Sequence, residues 1–271
     1  MADASSINFM EPDGKIWNVG NGGELNIKSG GLLDVEAGAT LELGGRIGRS
    51  TTVELYDDFL GDVLDDAWSG AKGTDAQAVV PTIQAGEEDG VVRLTAGDTV
   101  TVAESISILT HGLNWKAESG NLVGEFRIRM ASIANVAVFV GFTDVLATTT
   151  LEEPFSLSGT TFTSNATDAV GLLFDTAATT DVWNIIGVAD GTDTAATEIN
   201  APVADTWETF KIVLSAAGTA TVYRNGTLKA TIASAVTPSV ALTPVVSVMA
   251  RTTTTKTVDV DYVHIAKTRN S

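Results

Sequence analysis

An all-β chain in two parts is the fold class this sequence predicts: an N-terminal intertwined trimeric β-helix or β-prism stem, followed by a β-sandwich. Three observations carry that expectation. Residues 14–45 repeat with a period of eight. From residue 56 onward, short apolar runs recur between clusters of Gly, Asn, Asp, Thr and Pro, the pattern of successive strands and turns. Over the same stretch the helical spacing of apolar residues is almost absent.

The repeat reads Gly14-Lys-Ile-Trp17-Asn-Val19, Gly22-Gly-Glu-Leu25-Asn-Ile27, Gly30-Gly-Leu-Leu33-Asp-Val35 and Gly38-Ala-Thr-Leu41-Glu-Leu43. Its two-residue alternation sends Trp17, Val19, Leu25, Ile27, Leu33, Val35, Leu41 and Leu43 to one face, and Asn18, Asn26, Asp34 and Glu42 to the other. Eight extended residues reach only about 26–29 Å, too short a perimeter for one chain to close a coil around a packed interior. A lone four-strand meander would bury its apolar face against nothing and leave two open edges. Three chains wound together place those eight apolar residues on a common axis, so the stem predicts a homotrimer. Residues 1–13 are the expected N-terminal anchor or arm, and 46–55 the connector.

In the larger part, strands are expected at Val91–Thr95, Thr99–Leu109, Leu122–Met130, Val136–Thr143, Ala169–Asp175, Val182–Val188, Phe210–Leu214, Thr219–Arg224, Thr227–Ile232, Val245–Ala250 and Thr257–Ile265. Asn225-Gly226 supplies the two positive-φ residues of a tight hairpin turn.

Composition bounds the chemistry. The chain has 271 residues, no cysteine and a formal net charge of −18. Disulfides, thiolate metal sites and cysteine nucleophiles are therefore excluded. No apolar stretch approaches the ~18 residues of a membrane span, and so acidic a surface repels phosphate backbones and anionic headgroups. Neither nucleic acid nor membrane is an expected partner.

The octads resemble the short trimeric β-helical or β-prism stems of tailed-phage virion proteins, including head decoration proteins, head fibres and tail fibres. Tyr56-Asp-Asp-Phe59-Leu-Gly-Asp-Val-Leu64-Asp-Asp-Ala-Trp68 is similar to the opening strand of a concanavalin A-like (lectin/glucanase or laminin-G-like) jelly roll. Thr206-Trp207-Glu-Thr-Phe210-Lys-Ile-Val-Leu214, the Tyr223-Arg-Asn-Gly hairpin and Val258-Asp-Val-Asp261-Tyr262-Val-His-Ile265 are similar to its later strands. The resemblance implies a jelly-roll domain over residues 56–271. It further implies a structural virion protein on the outer capsid surface, a homotrimeric capsid decoration or head-fibre protein held to the major capsid protein through its N-terminal part. The alternative it implies is a tail-fibre or surface adhesin whose lectin-like domain binds host glycans.

Glycosidases on this scaffold present a Glu-x-Asp-x-Glu strand, and none occurs here. Asp259-Val-Asp261 puts two carboxylates on one strand face, which reads as a solvated face. With only His111 and His264 and no triad, zinc or phosphate-loop spacing, the expectation is a non-enzyme without a cofactor. Calcium is the one metal the residues leave open, at Asp190-Gly-Thr-Asp193 or around Asp57, Asp58, Asp62, Asp65 and Asp66, where polar turns are the competing reading. Trp68, Trp115, Trp183 and Trp207 are expected in the core rather than as sugar-stacking platforms. His264 is expected to be exposed or hydrogen-bonded.

Overall fold

A computed structural model describes residues 52–146 and 151–269. The octad stem with its eight apolar residues, the anchor at 1–13 and most of the connector lie outside them. Along the chain the elements are β1 (Thr52–Asp57), β2 (Ser69–Lys72), β3 (Val79–Ile83), β4 (Val92–Ala96), the one-turn helix α1 (Val102–Ser105), β5 (Ser107–Thr110), β6 (Leu122–Met130), β7 (Val136–Thr143), β8 (Phe155–Ser158) and β9 (Thr161–Ser164). They continue with β10 (Ala169–Asp175), β11 (Trp183–Ala189), β12 (Thr192–Asp193), β13 (Thr197–Glu198), β14 (Trp207–Leu214), β15 (Ala220–Arg224), β16 (Thr227–Ile232), β17 (Thr243–Ala250) and β18 (Lys256–Thr268).

Two antiparallel sheets face each other. The first runs β16-β15-β14-β6-β18-β4-β3, with β1 also paired to β18; the second runs β12-β11-β10-β7-β17-β5-β2, with β13 also on β11. In β6 and β14 burial alternates residue by residue, because one face meets the other sheet and the opposite face meets water. Phe126, Ile128, Phe210, Ile212, Val260 and Val263 point inward and pack on Val138, Phe142, Leu172, Phe174 and Trp183 of the second sheet. At roughly 1.5–3 kcal/mol per fully buried large apolar side chain, this inner layer is the main driving force for closing the sandwich.

The central strands of the second sheet are buried on both faces. Strands β7, β10 and β17 have no exposed position, since the β8–β9 hairpin and its flanks lay Phe155, Leu157 and Ala166 over Phe139, Leu173 and Val245. Gly141 and Gly171 oppose each other across β7 and β10. A Cβ on Gly171 would come within 2.6 Å of the Phe139 ring, so the missing side chain makes room for that aromatic.

One buried carboxylate ties the two sheets together. Glu208 on β14 accepts hydrogen bonds from Trp183 Nε1 of the opposite sheet at 3.0 Å and from Arg224 Nε on β15 at 3.1 Å. Arg224 also donates to the carbonyls of Asn200 and Ala201 at 2.5 and 2.9 Å. Each partner satisfies the others, so one carboxylate links the two sheets without an orphaned charge; removing one partner of such a buried pair costs about 3–5 kcal/mol.

Two expectations from sequence need correction. The opening strand is β1, which begins at Thr52, and 58–68 is a loop. Asp57 ends the strand by accepting the Phe59 N–H at 2.8 Å and Trp68 Nε1 at 2.7 Å, with Phe59 turned to a φ of +53°. Thr99–Leu109 is not one strand: Glu104 and Ser105 both donate backbone N–H to Thr101 O, at 3.1 and 3.0 Å, and this turn forms α1 ahead of β5.

Glu153 lies under the hairpin cover, fully buried, with neither carboxylate oxygen hydrogen-bonded to a described residue. Burial, reinforced by the charge of Asp175 and opposed by Arg251, pushes its carboxyl up to about 8. The folded chain therefore keeps a proton that the unfolded chain releases near pH ~4.3. Stability from this group is fully present below that value and is lost as pH rises through about 8. A Glu153→Gln variant removes the loss. Its unfolding free energy relative to wild type, measured by denaturant titration, should increase between pH ~4.5 and about 8; a difference that does not change with pH would contradict it.

Candidate functional site

The outer face of the first sheet is where functional side chains collect. Core positions Phe126 and Ile128 fix the phase of β6, so Glu125, Arg127 and Arg129 must face outward. On β14, Phe210 and Ile212 likewise turn Trp207, Thr209 and Lys211 outward. Strand β18 departs from simple alternation: its pairing with β6 slips between Val260 and Tyr262. This bulge keeps Val260 and Val263 in the core while Asp259, Asp261, Tyr262 and His264 share the outer face.

Cross-strand register then arranges these residues in rows. One row runs Trp207, Arg129, Asp259 and Arg93; the next Thr209, Arg127 and Tyr262; a third Tyr223, Lys211, Glu125, His264 and Tyr56. In the first row Asp259 accepts from Arg93 Nε at 2.6 Å, Arg93 Nη2 at 3.0 Å and Arg129 Nη2 at 2.7 Å. Asp261 accepts from Arg127 Nη1. Burial acts to raise the Asp259 carboxyl, but the hydrogen bonds and charges of Arg93 and Arg129 outweigh it and hold the group below the usual carboxylate range.

The guanidinium carbons of Arg127 and Arg129 stand 5.0 and 4.6 Å from the centre of the Trp207 ring, within cation–π range. Linking the second row to the third, the Tyr262 hydroxyl donates to Glu125 Oε1 at 2.7 Å, and His264 Nε2 lies 2.6 Å from Glu54 Oε1. Burial, with the neighbouring Glu125 carboxylate, pushes the Tyr262 phenol up to about 12, so it stays a hydrogen-bond donor across the neutral range.

Beside these rows lies an open groove of about 380 Å³, lined by Glu125, Thr209, Lys211, Val213, Tyr223 and Gly226. Its rim is the β15–β16 turn, where Asn225 and Gly226 take φ values of +50° and +73°, and the Asn225 side chain accepts the Thr209 N–H at 2.8 Å. An aromatic ring, a cation, a carboxylate and a hydroxyl thus converge on one concave surface. That combination gives a polyhydroxylated ligand an apolar face to stack on and both donors and acceptors to bond.

Several sequence expectations change here. Trp68, Trp115 and Trp183 are in the core, but Trp207 is on the outer face beneath two arginines. Asp259 and Asp261 are on one strand face, yet that face is not solvated there: both carboxylates are buried beneath guanidinium groups. His264 is hydrogen-bonded, as expected. Of the residues weighed for calcium, Asp57 and Asp65 bond backbone N–H groups of their own loop, and Asp190 with Gly191 forms a positive-φ turn. Among the described residues no three acidic or histidine side chains converge as a metal site. Composition and spacing did not single out Arg93, Arg127, Arg129, Lys211 or Glu125, although the phase of Phe126 and Phe210, and for Arg93 that of Val92 and Leu94, contained that information.

No family model and no curated protein matches the chain. Solved structures do. The Bacillus licheniformis β-glucanase aligns over 80% of this chain and 98% of its own, with 13% identity and a TM-score of 0.54. The Emp47p carbohydrate recognition domain aligns over 82% and 99%, with 12% identity and a TM-score of 0.54. A Bacteroides ovatus GH16 protein, solved with a G4G4G3G product, aligns over 78% and 99%, with 10% identity and a TM-score of 0.53. The described sandwich is therefore a jelly roll of the concanavalin A type. The expectation that the chain is not an enzyme is corrected by the same finding. Glucanases are built on this sandwich, and catalysis depends on where carboxylates meet in space, so the lack of one linear motif gives no ground for excluding it.

Proposed function

We propose that the jelly roll is a glycan-interacting domain whose outer first-sheet face, centred on the Lys211–Tyr223 groove, receives the sugar. The observation that supports this reading most is the groove itself: one aromatic ring and several hydrogen-bonding groups of mixed charge on a concave surface, in a sandwich shared with a glucanase and a carbohydrate recognition domain. Tyr223 supplies a flat apolar face with a polar tip, Lys211 and Thr209 supply donors, and Glu125 supplies an acceptor held in place by Tyr262. Binding energy for such ligands comes from stacking together with matched hydrogen bonds, so loss of the ring is felt directly.

The test is a glycan array followed by calorimetry on the hits, with release of reducing ends read in parallel. Saturable binding is expected, weakened about tenfold or more in Tyr223→Ala, the size of a lost aromatic contact. An array without hits, or affinity indifferent to Tyr223, overturns the reading.

The octads favour a setting for this domain. Three copies carried on a self-associating stem would engage a repetitive glycan surface multivalently, as a virion-surface fibre or capsid decoration protein does. Native mass measurement of the full chain should give a trimer, and a monomer at working concentration would refute the stem.

A further inference from the structure

The chain is strongly acidic, with 34 acidic residues against 16 basic, yet the outer face of the first sheet gathers cations. Arg93, Arg127 and Arg129 surround Asp259 and Asp261, and the two signs lie at different depths. The arginine side chains retain 34%, 38% and 25% exposure, against 5% and 9% for the aspartates. Carboxylates thus lie beneath and guanidinium groups above. Each of Arg127 and Arg129 commits one terminal nitrogen to an aspartate and rests on the Trp207 ring. Both planes are fixed while further N–H donors remain on each, and a fork held in advance loses little freedom when an oxyanion binds.

Acids share this face, so what marks its cations is their exposure and orientation and not an excess of positive charge. Glu87 is 4.0 Å from Arg129, and Glu125 is engaged by the Tyr262 hydroxyl. Two residues along β14 from Thr209, which opposes Arg127, Lys211 enters the groove. Among the described residues no hydrogen bond or ion pair engages its ammonium. A free cation on the same sheet face as two oriented guanidinium groups, one row from Arg127 and two from Arg129, is an arrangement that neutral sugars do not require.

We propose that the glycan taken by this face carries oxyanions, a carboxylate or a sulfate ester, received by Arg127, Arg129 and Lys211. This deepens the glycan reading of the same groove and rests on it. The net charge of −18 opposes non-specific attraction of polyanions, so their binding must come from this local site.

The test compares matched polymers on the full chain: polygalacturonate with its fully methyl-esterified form, and dextran sulfate with dextran. One charged polymer should bind at least tenfold more tightly than its neutral partner, and which one distinguishes carboxylate from sulfate. Lys211→Gln, which removes no structural partner, should lower that affinity about tenfold, the scale of one lost charge-assisted bond. Arg127→Lys keeps a positive charge for Asp261 while removing the planar fork, and should weaken binding without unfolding the chain; a near-ultraviolet circular dichroism spectrum checks the fold. Equal affinity for charged and neutral partners overturns the oxyanion assignment but leaves the glycan reading standing. A charged-polymer preference untouched by both variants overturns its placement. Absence of binding to these polymers and to the neutral array together overturns the glycan reading as well.

Discussion

Everything on the outer face of the first sheet follows from the two-residue period of its strands, imposed by burial of the other face. Phe126, Phe210 and Val260 have to enter the core, and their alternate neighbours have to leave it. Three central strands, β6, β14 and β18, obey the same phase, so their outward side chains meet in rows. Among these three strands, the bulge in β18 is where the phase is reset. Without it, either Val263 and Ile265 or Asp259 would fall on the wrong side. With it, four polar residues of one strand stand together against the arginines of β6.

The electrostatics of that face are layered. A buried carboxylate is costly unless hydrogen-bonded and paired, and Asp259 meets the condition with three bonds from two arginines. The same bonds fix the arginines, and Trp207 supports them from beside. A structural requirement of the sheet thereby orients groups that a ligand can use. The second sheet shows the contrast: its outer face is closed by the β8–β9 hairpin, and its buried acid Glu153 is kept neutral by burial rather than by a partner.

Much of this was legible in the sequence, and the remainder has physical causes. Leu122–Met130, Val136–Thr143, Ala169–Asp175 and Thr227–Ile232 were expected as strands and are strands, because alternation and long apolar runs encode burial on one face or two. The Asn225-Gly226 turn was legible because few residue pairs tolerate two positive φ angles. Trp207 was misplaced by residue type, although its phase opposite Phe210 and Ile212 contradicted a core position. Glu208, in phase with those same residues, was a buried acid in plain view. The depth of Asp259 and Asp261 was not legible, since it depends on arginines 130 or more residues away in sequence, and no local pattern announces a bulge. Short strands such as β2, β8 and β9 were missed because four residues carry too little periodicity.

A jelly roll supplies a scaffold, and the site decides its use. On the proposed reading, sugar meets this molecule on the outer face of the first sheet. The most direct measurement is a crystal structure of the chain with an oligosaccharide that binds it. The sugar ring should lie against Tyr223, with its polar groups on Lys211 and Arg127. Sugar bound instead at the 58–68 loop or along the edge of the second sheet would contradict it.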